Sequence, residues 1–147
     1  MIALQNRQAS HSYFIEERYT AGIQLLGTEV KSLREGKASF NDAYCIIIEG
    51  EAWIKSLHIA PYTHGTANNH DPLRDRKLLL QKREINKIQS KLKEKGLTLI
   101  PLRIFFSDSQ LVKVEIGLAR GKKLADKRES LKRKEAEREI RRGLASN

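Results

Sequence analysis

Apolar and polar residues alternate through the segment between residues 13 and 25. The odd positions carry the apolar side chains, with Glu17 as the one interruption: Tyr13, Ile15, Tyr19, Ala21, Ile23 and Leu25. Successive side chains of a strand point to opposite faces of the sheet, so a period of two predicts strand structure. Because the pattern is held for so long, we expect a long or bent strand.

Two further pairs of apolar runs predict β-hairpins. Residues 43–48 and 52–59 flank Glu49-Gly50-Glu51, and the glycine fits a tight link between two strands. Residues 97–106 and 111–118 flank the turn Ser107–Gln110. In this second pair the following residues share one parity, so we expect them to face one core: Ile100, Leu102, Ile104, Phe106, Val112, Val114, Ile116 and Leu118.

Two helices are predicted from capping and stop signals. Thr28 is a candidate N-cap for a short helix that ends at Gly36. A longer helix is predicted from Asp71, with Pro72 in the first helical position, to a stop at Gly96. Its buried stripe would be Leu78, Ile85, Ile88 and Leu92, and its other faces would carry basic side chains, among them Arg74, Arg76, Lys82 and Arg83. Such faces are either solvated or available to an anionic partner.

These elements predict a mainly β fold with flanking helices around one core. The leading candidate is an OB-type closed β-barrel, an architecture that presents a strand face and loops to nucleic acid. The parity pattern supports the strands, whereas closure of the barrel does not follow from it.

Charge divides the chain into a body and a tail. The 147 residues carry a net charge of +10, and residues 119–147 contain 11 Lys and Arg against 5 acidic residues. We therefore expect a domain at 1–118 and a basic C-terminal tail at 119–147 that is disordered or helical. Such a tail is either a solubilising segment or an arm that orders on a polyanionic surface. The excess of positive charge makes nucleic acid or an acidic membrane surface the first partner to consider.

The remaining composition favours a soluble, cytoplasmic protein. The single cysteine, Cys45, excludes an internal disulfide and suits a reducing compartment. The first residues do not form a signal peptide, and no apolar run is long enough to span a membrane. The sequence gives no sign of membrane attachment.

Catalytic and metal-binding patterns are weak throughout. His58, His64 and His70 are spaced by six residues, which is unlike the spacing of zinc ligands on one element. Residues 117–122 have only three residues between their glycines where a phosphate-binding P-loop has four. Cys45 lies in a predicted strand, where a buried and inert thiol is expected. Nothing here predicts a metal, a cofactor or an enzyme, although scattered side chains do not exclude catalysis.

A set of short blocks along the chain forms a recognisable pattern. The blocks are Asn6-Arg7, His11, Tyr13-Phe14-Ile15-Glu16-Glu17, Ala21-Gly22-Ile23, Gly27-Thr28-Glu29-Val30-Lys31-Ser32, Asn69-His70-Asp71-Pro72-Leu73-Arg74, Arg76-Lys77-Leu78-Leu79-Leu80, Lys82-Arg83-Glu84-Ile85, Gly117-Leu118-Ala119, Gly121-Lys122-Lys123 and Asp126-Lys127-Arg128. In this order, over roughly residues 6–142, they resemble the family of small protein B, the SsrA-binding protein of bacteria. The chain departs from the family at Ala125, where relatives often carry histidine or an aromatic ring.

The resemblance implies a role in ribosome rescue by trans-translation. Members of the family bind the tRNA-like domain of transfer-messenger RNA (tmRNA) and accompany it to stalled ribosomes. The resemblance further implies that the body occupies the place of a tRNA anticodon half at the decoding centre and that the tail enters the empty mRNA channel. Elongation factor Tu and alanyl-tRNA synthetase would be indirect partners through the RNA, and the protein itself would perform no covalent chemistry.

The resemblance also assigns candidate residues. The RNA-binding set is Asn6, Arg7, His11, Glu29, Lys31, Arg34, Arg74, Arg76, Lys82 and Arg83, and the ribosome-contacting set is Arg120, Gly121, Lys122, Lys123, Asp126, Lys127 and Arg128. Basic side chains would supply salt-dependent affinity by contacting phosphates. Glu29 would accept hydrogen bonds from a base or ribose, or would merely complement a helix dipole. The alternative function is that of a generic basic OB-type RNA-binding or ribosome-associated protein.

Overall fold

The computed structural model describes residues 1–64, 69–94 and 96–122. In chain order the strands are β1 (Ile2–Gln5), β2 (Tyr13–Ile23), β3 (Ala38–Ser39), β4 (Tyr44–Ile48), β5 (Glu51–Lys55), β6 (His58–Ile59), β7 (Arg76–Leu79), β8 (Leu97–Phe106) and β9 (Val112–Gly121). The helices are α1 (Ala9–Ser12), α2 (Gly27–Arg34) and α3 (Lys82–Leu92).

Seven strands form one sheet that closes on itself. The strand order is β1-β8-β4-β5-β7-β2-β9, and an additional pairing joins β8 to β9. Six strands therefore form a ring, and β1 is joined to that ring by its pairing with β8. All the pairings are antiparallel. The fold class is confirmed as mainly β with flanking helices, while most of the predicted tail, from residue 123 onward, lies outside the described residues.

The main core fills the interior of this ring. From Tyr13 to Ala21 the odd-numbered side chains of β2 are less exposed than their even-numbered neighbours, as the alternation predicts. Tyr19 and Ile23 pack against this main core, and Ala21 is fully buried in it. The β4–β5 hairpin is also confirmed, with Ile48 paired to Glu51 across Glu49 and Gly50. Both turn residues have positive φ, 52° and 76°, as a two-residue hairpin turn of type I′ requires.

Strand β8 changes faces in its middle, which corrects the single parity predicted for it. Leu99 and Ile104 both lie in the main core, although one number is odd and the other even. A bulge between Pro101 and Arg103 shifts the register by one residue. Ile100 and Leu102 consequently face outward and form a second small core with Ala9, Ala119 and the partly buried Tyr13 and Ile15.

The longer helix is much shorter than the sequence predicts. The Asp71 carboxylate accepts a hydrogen bond from the Leu73 amide at 2.9 Å, within a turn rather than at a helix start. Arg76–Leu79 then forms a strand between β5 and β2, and the helix occupies only Lys82–Leu92. The prediction of a helix from Asp71 was wrong because an Asp-Pro pair fits a turn as well as an N-cap.

The N-cap of helix α2 is Leu26, two residues before the predicted Thr28, and the helix begins at Gly27. The Glu29 carboxylate accepts a hydrogen bond from the Leu26 amide at 2.8 Å. The Thr28 hydroxyl lies 2.8 Å from Nδ1 of His70 and does not cap the helix. Gly36, with a φ of 70°, follows the end of the helix as predicted.

Strand β9 continues past the predicted end of the body at Leu118. Ala119 is fully buried, and Gly121 pairs with Tyr13 at the start of β2. The division into body and tail stays a prediction, but its boundary belongs after the end of this strand.

Candidate nucleic-acid interface

The Glu29 carboxylate is fully buried and forms ion pairs with two arginines. Glu29 and Arg76 each have 0% exposure. Nε of Arg76 donates to one carboxylate oxygen, and Nη2 of the half-buried Arg74 donates to the other at 2.6 Å. Burial raises the pKa of the Glu29 carboxyl, but hydrogen bonds from Arg74, Leu26 and Arg76 outweigh it, so the pKa lies below its ordinary value.

Two residues of the predicted RNA-binding set, Glu29 and Arg76, lie buried in this ion-pair cluster, and their contact with RNA stays a prediction. Arg76 also donates hydrogen bonds inside the fold, from Nη1 to the Leu57 carbonyl oxygen at 2.6 Å and from Nη2 to the Pro72 carbonyl oxygen at 3.2 Å. With no exposed surface, neither Glu29 nor Arg76 reaches a phosphate or a base in this conformation. Their side chains instead join α2 to β7 and to the segment before it. Arg74 alone of the three retains an exposed part.

A second buried contact holds the same segment in place. Nε2 of His70 lies 2.9 Å from the Ile59 carbonyl oxygen, which can only accept, so Nε2 donates there, and Nδ1 lies 2.8 Å from the Thr28 hydroxyl. Asn69 bonds through its amide to both the Tyr62 amide and the Tyr62 carbonyl. The motif of residues 69–74 therefore positions a loop against α2.

Helix α2 presents cations on its outer side. Lys31 and Arg34 are both exposed and, three residues apart, lie on one side of the helix. The Lys31 ammonium lies 5.4 Å from the centre of the Tyr62 ring, and the Arg34 guanidinium lies 5.9 Å from that of Phe106. Neither makes an ion pair with a residue that the structure describes, so both positive charges remain available to a phosphate.

The beginning of α3 carries two more of the predicted residues, Lys82 and Arg83, both exposed. They follow β7, whose last residue, Leu79, is 47% exposed. Leu79 and the exposed Leu111 line a groove of about 270 Å³. Apolar surface beside cations suits RNA, whose bases offer apolar faces next to phosphates.

The N-terminal segment forms a third surface. Arg7 and His11 are exposed, and with Asn6 they line a cleft of about 460 Å³ that also includes Arg18 and Arg103. Asn6 itself is held by its side-chain amide, which donates to the Pro101 carbonyl at 2.8 Å.

Sequence reasoning missed Arg18 and Arg103, which share the carboxylate of Glu115 at 2.7 and 3.0 Å. Burial raises the pKa of Glu115, but the two guanidinium groups outweigh it and the pKa lies below its ordinary value. Arg18 has 62% of its side chain exposed, so it keeps donors for an anion. The outward, even-numbered position of Arg18 on the alternating strand β2 was the signal that could have found it.

Three residues of the predicted ribosome-contacting set lie within the described residues. Arg120 and Gly121 belong to β9, and Arg120 pairs with Glu16 at 3.1 Å. The Lys122 ammonium donates to the Ser10 carbonyl at 2.8 Å and lies 4.6 Å from the centre of the Phe14 ring. Lys123, Asp126, Lys127 and Arg128 lie outside the described residues, as does Ala125.

Metal binding, thiol chemistry and membrane insertion find little support in the part of the chain that the structure describes. No group of three His, Cys, Asp or Glu side chains there is placed to hold a metal ion. Cys45 is buried, and burial raises the pKa of its thiol far above its ordinary value, which disfavours the reactive thiolate. Among the described helices, none has the length and apolar character needed to cross a membrane.

Comparison with known proteins gives matches over nearly the whole chain. The family model described as SmpB protein matches residues 3–146. An SsrA-binding protein of Geotalea uraniireducens is 56% identical over 135 residues, covering 92% of this chain and 89% of that protein. An SsrA-binding protein of Fervidobacterium nodosum is 54% identical over 146 residues, covering 99% and 98% of the two chains.

A solved structure is also similar to this chain. It is described as "tmRNA-SmpB: a journey to the center of the bacterial ribosome", and the matched chain is 51% identical with a TM-score of 0.69. The match covers 81% of this chain and 83% of that one.

Proposed function

This chain belongs to the SmpB protein family, and from that premise we propose that it binds the tRNA-like domain of tmRNA and brings it to stalled ribosomes for trans-translation. The observation that carries the proposal is the near full-length similarity to SsrA-binding proteins, together with a 51% identical chain solved in a tmRNA-SmpB ribosome context. A protein with this role works in the bacterial cytoplasm.

The charges of the body support this role physically. Arg7, Lys31, Arg34 and Lys82 are exposed and form no ion pair with any residue that the structure describes. Contacts between such side chains and phosphates release counterions and supply affinity that falls with salt. Selectivity for the tRNA-like domain then comes from the fit of the ring and its helices to a folded RNA, because phosphate contacts carry no sequence information.

The exposed residues of the predicted RNA-binding set are distributed over three faces of the protein. These faces are the outer side of α2, the beginning of α3, and the N-terminal cleft with Arg7 and His11. A protein that lies between tmRNA and the ribosome needs more than one RNA-facing surface. We therefore assign the proposed contacts with tmRNA and with ribosomal RNA at the decoding centre to this set of faces as a whole.

The proposal also gives a role to the basic C-terminal tail, residues 119–147. Residues 119–147 carry 11 Lys and Arg against 5 acidic residues, and β9 ends at Gly121, so the basic segment follows directly on the strand. Ordering such a segment costs roughly 1–2 kcal/mol of backbone entropy per residue, which a long polyanionic surface can offset. We assign that surface to the empty mRNA channel, with Lys122, Lys123, Lys127 and Arg128 at the entrance.

The proposed role requires no catalysis by this chain. Aminoacylation by alanyl-tRNA synthetase and delivery by elongation factor Tu would act on the RNA, so both are indirect partners.

A competition gel shift tests the proposal. The full chain is bound to labelled tmRNA at physiological salt and challenged with unlabelled tmRNA or with an ordinary tRNA. We expect tmRNA to compete at a far lower concentration than tRNA. Equal competition would refute the proposed selectivity and favour the alternative, a generic basic RNA-binding protein.

A further inference from the structure

A polar cleft of about 470 Å³ lies between α1 and the beginning of β4. Its hydrogen-bonding lining includes Asn6, Gln8, Asn41, Asp42, Tyr44 and Thr98. The Asp42 carboxylate is exposed and makes no hydrogen bond or ion pair with any residue that the structure describes. We call this space the Asp42 cleft.

The charge of the Asp42 cleft is opposite to that of the protein as a whole. The net charge of the chain is +10, yet among the described residues that line this cleft, the one charged side chain is the acidic Asp42. A carboxylate repels phosphate and accepts hydrogen bonds from N–H groups. The cleft therefore suits the neutral, donor-bearing part of a nucleotide rather than its phosphate.

A cation lies beside the cleft rather than in it. An adjoining hollow shares Asn6, Gln8, Asn41 and Asp42 with the Asp42 cleft and adds the exposed Arg7. An RNA strand that passes here can place a phosphate on Arg7 while one base enters the cleft, which is the general arrangement of single-strand recognition.

A ring is available to stack on that base. Tyr44 lines the cleft and is 42% exposed, whereas Tyr13, the other ring in the lining, is partly buried against the second core. Unpaired RNA bases are bound by stacking on such rings and by hydrogen bonds to their Watson–Crick edges. Guanine presents two adjacent N–H donors on that edge, and the two oxygens of a carboxylate can accept both.

We propose that the Asp42 cleft holds one unpaired guanine of a bound RNA, with Asp42 accepting from its Watson–Crick edge and Tyr44 stacking on its face. The inference rests on the proposed function, because it takes RNA as the ligand. It adds a base-specific contact to surfaces that otherwise offer phosphate contacts.

Short labelled oligouridines test the proposal on the full chain by fluorescence anisotropy at low salt. One oligonucleotide carries a single central guanosine, one carries inosine in its place, and one carries only uridine. Inosine lacks the 2-amino group and so removes one of the two donors. We expect guanosine to be preferred over both by about 5- to 150-fold, the range typical of a bidentate contact with a base edge.

Two variants locate the contact. Asp42→Asn should reduce the preference for guanosine to less than about twofold, because the amide replaces one acceptor with a donor. The matched control is Asp108→Asn, which removes the same charge from an exposed turn and should keep the preference. Tyr44→Leu should weaken binding of all three oligonucleotides by about tenfold through lost stacking.

Several results would overturn the proposal. The first is equal binding of the three oligonucleotides by the unaltered chain, and the second is a guanosine preference that survives in Asp42→Asn. The third is a rise in affinity for all three oligonucleotides in Asp42→Asn, which would indicate that the chain's own basic residues, rather than a base, occupy the cleft. The tmRNA competition is measured separately on the unaltered chain. A guanosine preference without tmRNA selectivity would refute the proposed function and leave the cleft assignment standing.

Discussion

Replacing Glu29 with glutamine removes the negative charge that two guanidinium groups share inside the fold. Arg76 is fully buried, so in the Glu29→Gln variant its charge is left without a counter-charge. Removing one partner of a buried ion pair costs about 3–5 kcal/mol. Because the amide oxygen can still accept one hydrogen bond, we expect the lower end, about 3 kcal/mol, and a fall in Tm of roughly 10 °C for a domain of this size.

Thermal and urea unfolding followed by circular dichroism measure this loss. The matched control is Glu115→Gln, which also breaks two arginine contacts but near the surface, where Arg18 is 62% exposed and Glu115 15% exposed. Exposed pairs contribute little, so the control should lose less than about 1 kcal/mol. A loss below about 1 kcal/mol in Glu29→Gln would refute the argument that the pair is buried and structural.

The pH dependence of the same variant follows from the lowered pKa of Glu29. A group whose pKa is lower in the folded state stabilises the fold above its ordinary value, about 4.3, and loses that contribution as the pH falls through the folded value. The difference in stability between the unaltered chain and Glu29→Gln should therefore be full at neutral pH and shrink in acid below about pH 4. A difference that grows in acid would contradict the assigned direction.

RNA binding separates the structural role of Glu29 from a direct contact. At a temperature well below its melting point, Glu29→Gln should bind tmRNA with nearly unaltered affinity, because the carboxylate has no exposed surface. A large fall in affinity with unaltered stability would restore the interpretation that Glu29 accepts a hydrogen bond from RNA.

Three further outcomes are expected. A chain ending after Lys122 should stay folded and bind tmRNA but fail to support peptide tagging on stalled ribosomes. A chain ending after Leu118 should also lose stability, since it lacks the paired end of β9. Normal tagging by the chain that ends after Lys122 would contradict the role of the tail. Lys31→Ala should reduce the salt slope of RNA binding by about one unit, and Lys55→Ala, whose ammonium already pairs with a carboxylate, should not. Burial, together with a hydrogen bond to a neighbouring carboxylate, raises the pKa of Tyr19 to about 12. The stability of the unaltered chain should therefore fall between pH 10 and 12 in thermal melts, and that of Tyr19→Phe should fall less. The same pH dependence of stability in both proteins would contradict the raised pKa.

The sequence by itself determined the features that depend on neighbouring residues. Alternation along β2 predicts which side chains face the core, because successive side chains of a strand always point to opposite faces. The turn at Glu49-Gly50 is likewise local, since a type I′ hairpin turn needs two positive φ angles and glycine supplies one without strain. The ordered motifs identified the family before any geometry was known, and the similarity of the whole chain confirms it.

Only the tertiary structure decided the features that depend on distant residues. Leu78 fits a helical stripe as well as a strand, and its place between β5 and β2 settles the choice. Ile100 and Ile104 share a parity in the sequence, but the bulge at Pro101–Arg103 sends them to different cores. Glu29 and Arg76 look like surface charges in the sequence because their burial results from pairing across 47 positions of the chain. A charged residue can be buried only where the fold brings its partner to it, and that partner is not adjacent in the sequence.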